Sequence, residues 1–334
     1  MIYPFVTYPS YVGVLLLSFL KYRLKLSRKN LILIIILASL LLSKVIEALL
    51  SSYIFLLSDL SEFKIIFFII ILLLVKTKMS RRAASTLYIS YIIFGLACMI
   101  YVFINTGQIV RFMDRMPGFT HYLSIYFTVT AACFLAVLPT KIVPYLFVVV
   151  SASGTGLLAI IPIFLLRLFK SYKNPFSWAL ILTVAIIAIY FVLSIQASRG
   201  RTLLDPTSID RFLFYSAIFE YIPNMSWKHL LIGHYLGEHI PVENYVPPRF
   251  AEYLLAERAG YIPPRMFHSD YLRLFLQYGL LGMAFILYCL WISVTNRVLL
   301  SVLLAGALVN SVFYISPIMI TVFYLNRISA NEEV

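Results

Sequence analysis

The chain has 334 residues, of which 62% are hydrophobic and only 12% charged, with a mean hydropathy of +0.93. Ordinary soluble domains are about 45–50% apolar and about 25% charged, so this composition excludes one. The formal charge of +13 invites a nucleic-acid partner, but the basic residues stand in short clusters at the ends of apolar runs, the pattern that keeps loops on the cytoplasmic side of a membrane.

Runs such as 31–42 and 65–75 have no polar face. Backbone that crosses lipid must satisfy its own hydrogen bonds, so these runs predict helices. The strict alternation of a membrane β-barrel is missing. The expected architecture is all-α and polytopic, with 10 or 11 membrane helices and one large extracytoplasmic loop. In chain order the spans are 3–20, 31–57, 62–76, 84–104 and 120–138, then the stretch 141–169, then 176–194 and 271–292. The stretch 297–326 reads as one long helix or as two broken near Pro317. Residues 1–194 thus form an N-terminal membrane region, 195–270 a loop domain, 271–326 a C-terminal membrane region and 327–334 a tail. Cys98, Cys133 and Cys289 lie inside apolar runs and read as small core residues. No cleavable leader is expected, because Lys21–Lys29 follows the first apolar run.

Charge sets the topology. Lys21, Arg23, Lys25, Arg28 and Lys29, then Lys76, Lys78, Arg81 and Arg82, face inward; Asp59 and Glu62 lie outside between them. Arg167, Lys170 and Lys173 also belong inside. That requires 141–169 to be a short hairpin, turning at Ser151–Gly156, where glycine and serine suit a tight turn. The span 176–194 then carries the chain outward, and 195–270 is extracytoplasmic. Within the second span, Lys44 and Glu47 share a helix face. They read as a buried ion pair or as part of an ion path.

The polar chemistry is concentrated in 195–270. This segment holds four of the five histidines, eight of the fourteen acidic residues and seven of the fifteen prolines. Segment 205–222 is predicted helical, capped by Asp205 or Ser208. Phe212, Tyr215, Phe219 and Ile222 recur at helical spacing, so an amphipathic helix at the membrane surface is expected, with Arg211 in its first turn. Gly233 and Gly237 allow a close turn. A second short helix over 249–260 ends at Gly260, before Pro263 and Pro264. At 265–282, His268, Asp270 and Arg273 fall where an apolar helix begins. Histidine exchanges a proton near neutral pH, so His268 reads as a proton carrier or as a plain interfacial polar residue. Asp270 pairs with it, or caps the helix and meets its dipole. Arg265 and Arg273 either reach toward headgroups or grip a phosphate in a fork. No acidic pair has a convincing cation spacing, and His234 with His239 is a poor zinc signature, so neither metal nor cofactor is expected.

Three elements resemble the O-antigen polymerase and O-antigen ligase superfamily of membrane glycosyltransferases. Ser208-Ile-Asp-Arg211, followed by Phe212–Phe219, is similar to the arginine-led helix that opens that family's large loop. Leu231-Ile-Gly-His-Tyr-Leu-Gly237 resembles its glycine element. His268–Gly282 resembles its histidine motif, with His268, Tyr271, Leu272, Gly279 and Gly282 in register. The segment 111–127 and the turn 151–156 match further parts of the layout. Two positions depart: the turn carries Thr155 where many members have arginine, and Ser269 replaces the usual asparagine.

The resemblance implies a GT-C-type fold in the bacterial cytoplasmic membrane. It implies transfer of a glycan from undecaprenyl diphosphate to a sugar hydroxyl of another lipid-linked repeat unit, inverting and without a metal. His268 would be the base and Asp270 its orienting partner. Arg211 and Arg265 would neutralise the diphosphate, with Arg199 or Arg273 in reserve, and Tyr271 would line the substrate. The lipid-linked oligosaccharide would serve as donor and acceptor, and a chain-length regulator is an expected partner. A ligase acting on another acceptor, and a transporter of lipid-linked sugars, are the rival readings.

Overall fold

The computed structural model describes residues 27–51, 62–74, 81–107, 122–137, 144, 147–148, 154–170, 179, 183, 186, 190, 210–235, 238–248, 251–252, 267, 269–308, 310, 312–314 and 316–326. Among these the chain is helical, without strands. Among the described residues, three helices are long and apolar enough to cross a membrane: Arg28–Leu50, Ser85–Thr106 and Asp270–Ser293. The expected span 3–20, the expected helix over 249–260 except for residues 251–252, which are helical, and the tail 327–334 lie outside the described residues.

The chain divides into two compact units. One combines 1–76 with 204–293, the other 77–203 with 294–334. These units cut across the boundaries expected from hydropathy, because the loop packs on the helix that leaves it and on the first helices of the chain.

In the first unit, α1 (Arg28–Leu50) starts where Ser27 Oγ accepts the Asn30 amide at 3.1 Å, an N-cap. It buries Leu33, Leu37, Lys44 and Ala48, one helical face. The opposite face is open and apolar, with Ile35, Leu42 and Leu50 exposed. α2 (Lys64–Leu74) runs antiparallel to it. Asn30 Nδ2 donates to Leu73 O at 2.8 Å at one end, and Ala48 packs with Phe63 at the other.

The loop part of this unit has its own core. α6 (Asp210–Tyr221; α3 to α5 belong to the second unit) leads through a turn at Ile222–Asn224 into α7 (Trp227–Ile232). Ser226 caps α7, and Gly233 ends it. Phe214, Ala217, Ile218 and Tyr221 of α6 pack with Ile240, Val242 and Phe267, and with Leu272, Phe275 and Leu276 of α8 (Asp270–Ser293). The stripe expected at the membrane surface is not the one that packs in this core. Tyr215 and Ile222 are only half-buried and Phe219 is 64% exposed; the buried stripe is the neighbouring one, because the loop core lies on that side. The cap residues Asp205 and Ser208 lie outside the described residues.

In the second unit, α3 (Arg81–Thr106), α4 (Tyr122–Val137) and α5 (Gly154–Lys170) are joined by α9 (Arg297–Ala307) and α10 (Ser316–Leu325). α4 is central: its residues Thr128–Leu135 are buried on every side. α5 approaches it closely at Gly156, where an added Cβ would lie 2.4 Å from Thr128 Cβ. The second arm of the expected hairpin is therefore a helix. Of the first arm, Pro144, Phe147 and Val148 are described and helical, and the turn residues 151–153 lie outside the described set. The stretch 297–326 is two helices, and Pro317 falls in the first turn of the second, where its missing N–H costs nothing. The end of α10 closes on the start of α9, where Asn326 Oδ1 accepts the Thr295 amide at 2.8 Å.

Candidate functional site

The site is the place where α1, α7 and α8 of the first unit meet around two glycines. Gly233 has φ 84° and ψ 177°, and Gly279 has φ 64° and ψ −174°, a region essentially confined to glycine. A Cβ on Gly233 would lie 2.5 Å from the Tyr278 nitrogen, and one on Gly279 would lie 2.3 Å from the Leu231 carbonyl carbon. The two backbones therefore touch, and the His234 amide donates to Leu276 O at 2.7 Å. Gly279 interrupts α8 and frees that carbonyl for the loop. The glycine element and the histidine motif, separate in sequence, form one crossing.

Beneath the crossing sits Lys44, fully buried. Its ammonium is 3.1 Å from Glu47 Oε2, 3.2 Å from His234 O and 3.4 Å from Gly233 O. The ion pair expected within this helix is present and has a third partner, the loop backbone. Glu47 also faces Lys228 at 3.5 Å. Lys44→Met should lower unfolding stability by about 3 kcal/mol, because Glu47 and two carbonyls lose a buried donor. Denaturant titration in detergent micelles measures this, and a loss below about 0.5 kcal/mol would mean that the contact carries little.

On the other side of α8, Arg273 is buried and gives two nitrogens to one oxygen of Glu62, at 2.9 Å from Nε and 2.7 Å from Nη2. Its side chain does not reach out to solvent, so of the two roles read for it the headgroup contact is not realised here. A phosphate at this guanidinium would have to displace Glu62. Asp270 is fully buried at the first residue of α8. Tyr271 beside it is half-buried. Ser269 Oγ shares a hydrogen bond of 2.6 Å with Tyr215 Oη, linking α6 to the start of α8. Burial raises the Tyr215 phenol above its ordinary pKa, and the nearby Asp270 charge adds to this against the pull of the Ser269 hydrogen bond. Arg211 is the second residue of α6. The Arg211 side chain, His268, Arg265 and Arg199 lie outside the described residues.

The structure adds a cluster that the sequence reading missed. His229, His234 and Glu238 converge, with their ligand atoms within 4.8 Å of one another. His229 Nε2 is 3.0 Å from Glu238 Oε1, and His234 Nδ1 is 3.2 Å from Glu238 Oε2. The two imidazoles stack at 4.3 Å. On a continuous helix residues five apart do not share a face; the break at Gly233 turns His234 back over His229. The residue set against His234 from sequence, His239, instead pairs with Glu243 at 2.7 Å. Burial lowers the His229 pKa, and the His234 charge adds to this against the pull of Glu238. Burial works to raise Glu238, but His234, the Tyr235 amide and His229 together bring it below the usual carboxylate range.

In the second unit, Thr155 is buried and takes a hydrogen bond from Asn310 Nδ2. At the position where the resembled family has arginine, the partner found is an amide.

No family model, curated protein or solved structure matches the chain.

Proposed function

We propose that the chain is a multi-pass protein of the bacterial cytoplasmic membrane that polymerises lipid-linked glycan repeat units on the extracytoplasmic side. The observation that carries this reading is the convergence of three loop elements. The arginine-led α6 and the histidine motif at 268–282 share one core, and the glycine element at 231–237 crosses the backbone of that motif. The apolar outer faces of α1 and α3, with Ile35, Leu42, Ile93, Ile100 and Ile104 exposed, support lipid as their solvent.

In this reading the donor is a glycan on undecaprenyl diphosphate. The leaving diphosphate needs neutralisation more than protonation, and Arg211 and Arg265 supply it, with Arg199 behind them. Arg273 is held by Glu62 and serves to fix the first turn of α8. The acceptor hydroxyl has a pKa far above neutral, so it needs a base as it attacks the anomeric carbon; His268 is that base. Asp270, buried at the helix start two residues on, orients it. Attack opposite the diphosphate inverts the anomeric centre, and the steps require no metal. Tyr271 lines the substrate path, and a chain-length regulator is the expected partner.

The test supplies the undecaprenyl-diphosphate repeat unit to purified protein and follows glycan length with time. Longer glycans are expected from the intact chain. His268→Ala should slow elongation by about 10²–10⁴-fold, and Arg211→Ala should abolish it, both with folded protein retained. Consumption of donor only when a different acceptor is added makes the protein a ligase. The interruption of α8 at Gly279 favours one further reading, a transporter of lipid-linked sugars, since discontinuous helices build such sites. Movement of intact substrate across liposomes, without turnover, would replace the transferase with that transporter.

A further inference from the structure

We propose that His229, His234 and Glu238 form a binding site for one zinc-class divalent ion at the root of the loop. The argument starts from the donor set. Two imidazoles and one carboxylate suit borderline ions such as zinc or cobalt, and three protein ligands leave the fourth tetrahedral position to water. Ligand bonds of about 2.0–2.2 Å place donor atoms roughly 3.4 Å apart. Here the donor atoms already lie within 4.8 Å, and each histidine nitrogen is close to a carboxylate oxygen.

A second observation points to a ligand. His234 is 1% exposed, and its Nδ1 is held 3.2 Å from Glu238 Oε2. A buried imidazole nitrogen facing a carboxylate that a second histidine also faces is placed as a ligand to a shared ion is placed. The other nitrogen, Nε2, faces Tyr221 Oη at 3.5 Å. Outer partners of this kind fix the tautomer of a metal-bound histidine.

The frame around the three donors is rigid. Ser226 caps α7 and so sets His229. The crossing at Gly233 and the Leu276 carbonyl set His234. The Tyr235 amide donates to Glu238 Oε2 at 3.1 Å, and the Glu238 amide returns to Tyr235 O at 3.2 Å. An ion here would tie α7 to the following turn. It takes no part in the steps assigned to His268, and its presence or absence is read without any turnover assay.

Cobalt(II) alone is titrated into the full-length, metal-free protein in detergent, with visible absorption, retained metal and thermal unfolding as readouts. The expected result is one ion per chain, with a tetrahedral absorption band and a higher unfolding temperature. Glu238→Gln keeps the size of the side chain and its acceptor for the Tyr235 amide, but removes the anionic ligand. It should weaken binding by at least the ~10–100-fold that an outer-shell change costs. His229→Ala, at a partly exposed position, should do the same. Zinc should displace the cobalt band. A wild-type protein that retains no stoichiometric metal overturns the proposal, as does equal binding by wild type and both variants. In either case the cluster is a histidine–carboxylate bridge, and the transferase reading is untouched.

Discussion

Gly279→Ala is expected to prevent the protein from accumulating in a folded form. The backbone there has φ 64° and ψ −174°, and forcing alanine into it costs about 1–3 kcal/mol. The new methyl group would also meet the Leu231 carbonyl carbon at 2.3 Å. That contact is with backbone held by its own hydrogen bonds, so overpacking adds about 1–3 kcal/mol. Against a total stability of about 5–15 kcal/mol, the sum is a large fraction. Gly233→Ala should behave alike, since it presses on the Tyr278 nitrogen at 2.5 Å. Gly107 supplies the comparison. It has φ 66° at the end of α3, but a Cβ there meets nothing within 4 Å among the described residues, so Gly107→Ala should lose only about 1–2 kcal/mol. Yield of monodisperse protein and unfolding midpoints in detergent decide the order. If Gly279→Ala and Gly107→Ala shift the midpoint equally, the backbone contact between the loop and α8 is wrong.

The second large effect concerns Glu62 and Arg273. Removing one member of a buried pair leaves the other charge without compensation, which costs about 3–5 kcal/mol. Arg273→Met should lose that much, and Glu62→Leu a similar amount. The double variant should recover most of it, because two apolar residues of similar size replace the pair without a stranded charge. The recovery has a second use. If Arg273 acts only through Glu62, the proposed transfer activity returns along with stability. If its guanidinium also contacts diphosphate, the double variant is stable and inactive. Stability that falls further in the double variant than in either single one would mean that the two side chains are not partners.

Much of the fold is legible in the sequence because its helices are apolar over their whole length. Runs such as Ile65–Leu74 have no second reading, and the observed bounds of α1, α2, α4 and α5 fall within a few residues of the expected ones, except that α1 stops seven residues early. Two kinds of information were not legible. The first is where a helix is interrupted. Gly279 carries no local break signal, and its left-handed backbone meets Leu231 arriving from 48 residues away. The second is which faces meet. α6 carries two apolar stripes, and periodicity cannot say which one packs on the loop core; the arrival of Phe267 and Val242 does. The metal-type cluster failed for the same reason. His229 and His234 share no face on a regular helix, and only the turn at Gly233 stacks them. The motif at 268–282 signalled a helix start with Asp270 and Arg273 close together, but the partner of Arg273 comes from 211 positions earlier, beyond the reach of local pattern.

The burial of Lys44 has a consequence for how the protein is made. Its carbonyl partners at Gly233 and His234 are 189 and 190 residues further along the chain. At about 5–20 residues per second, the ribosome delivers them roughly 10 to 40 s after Lys44 itself. Throughout that interval the local companion for the ammonium is Glu47, one helical turn away. Glu47 is thus the one of these partners made together with Lys44, and its loss would be felt before the loop has formed.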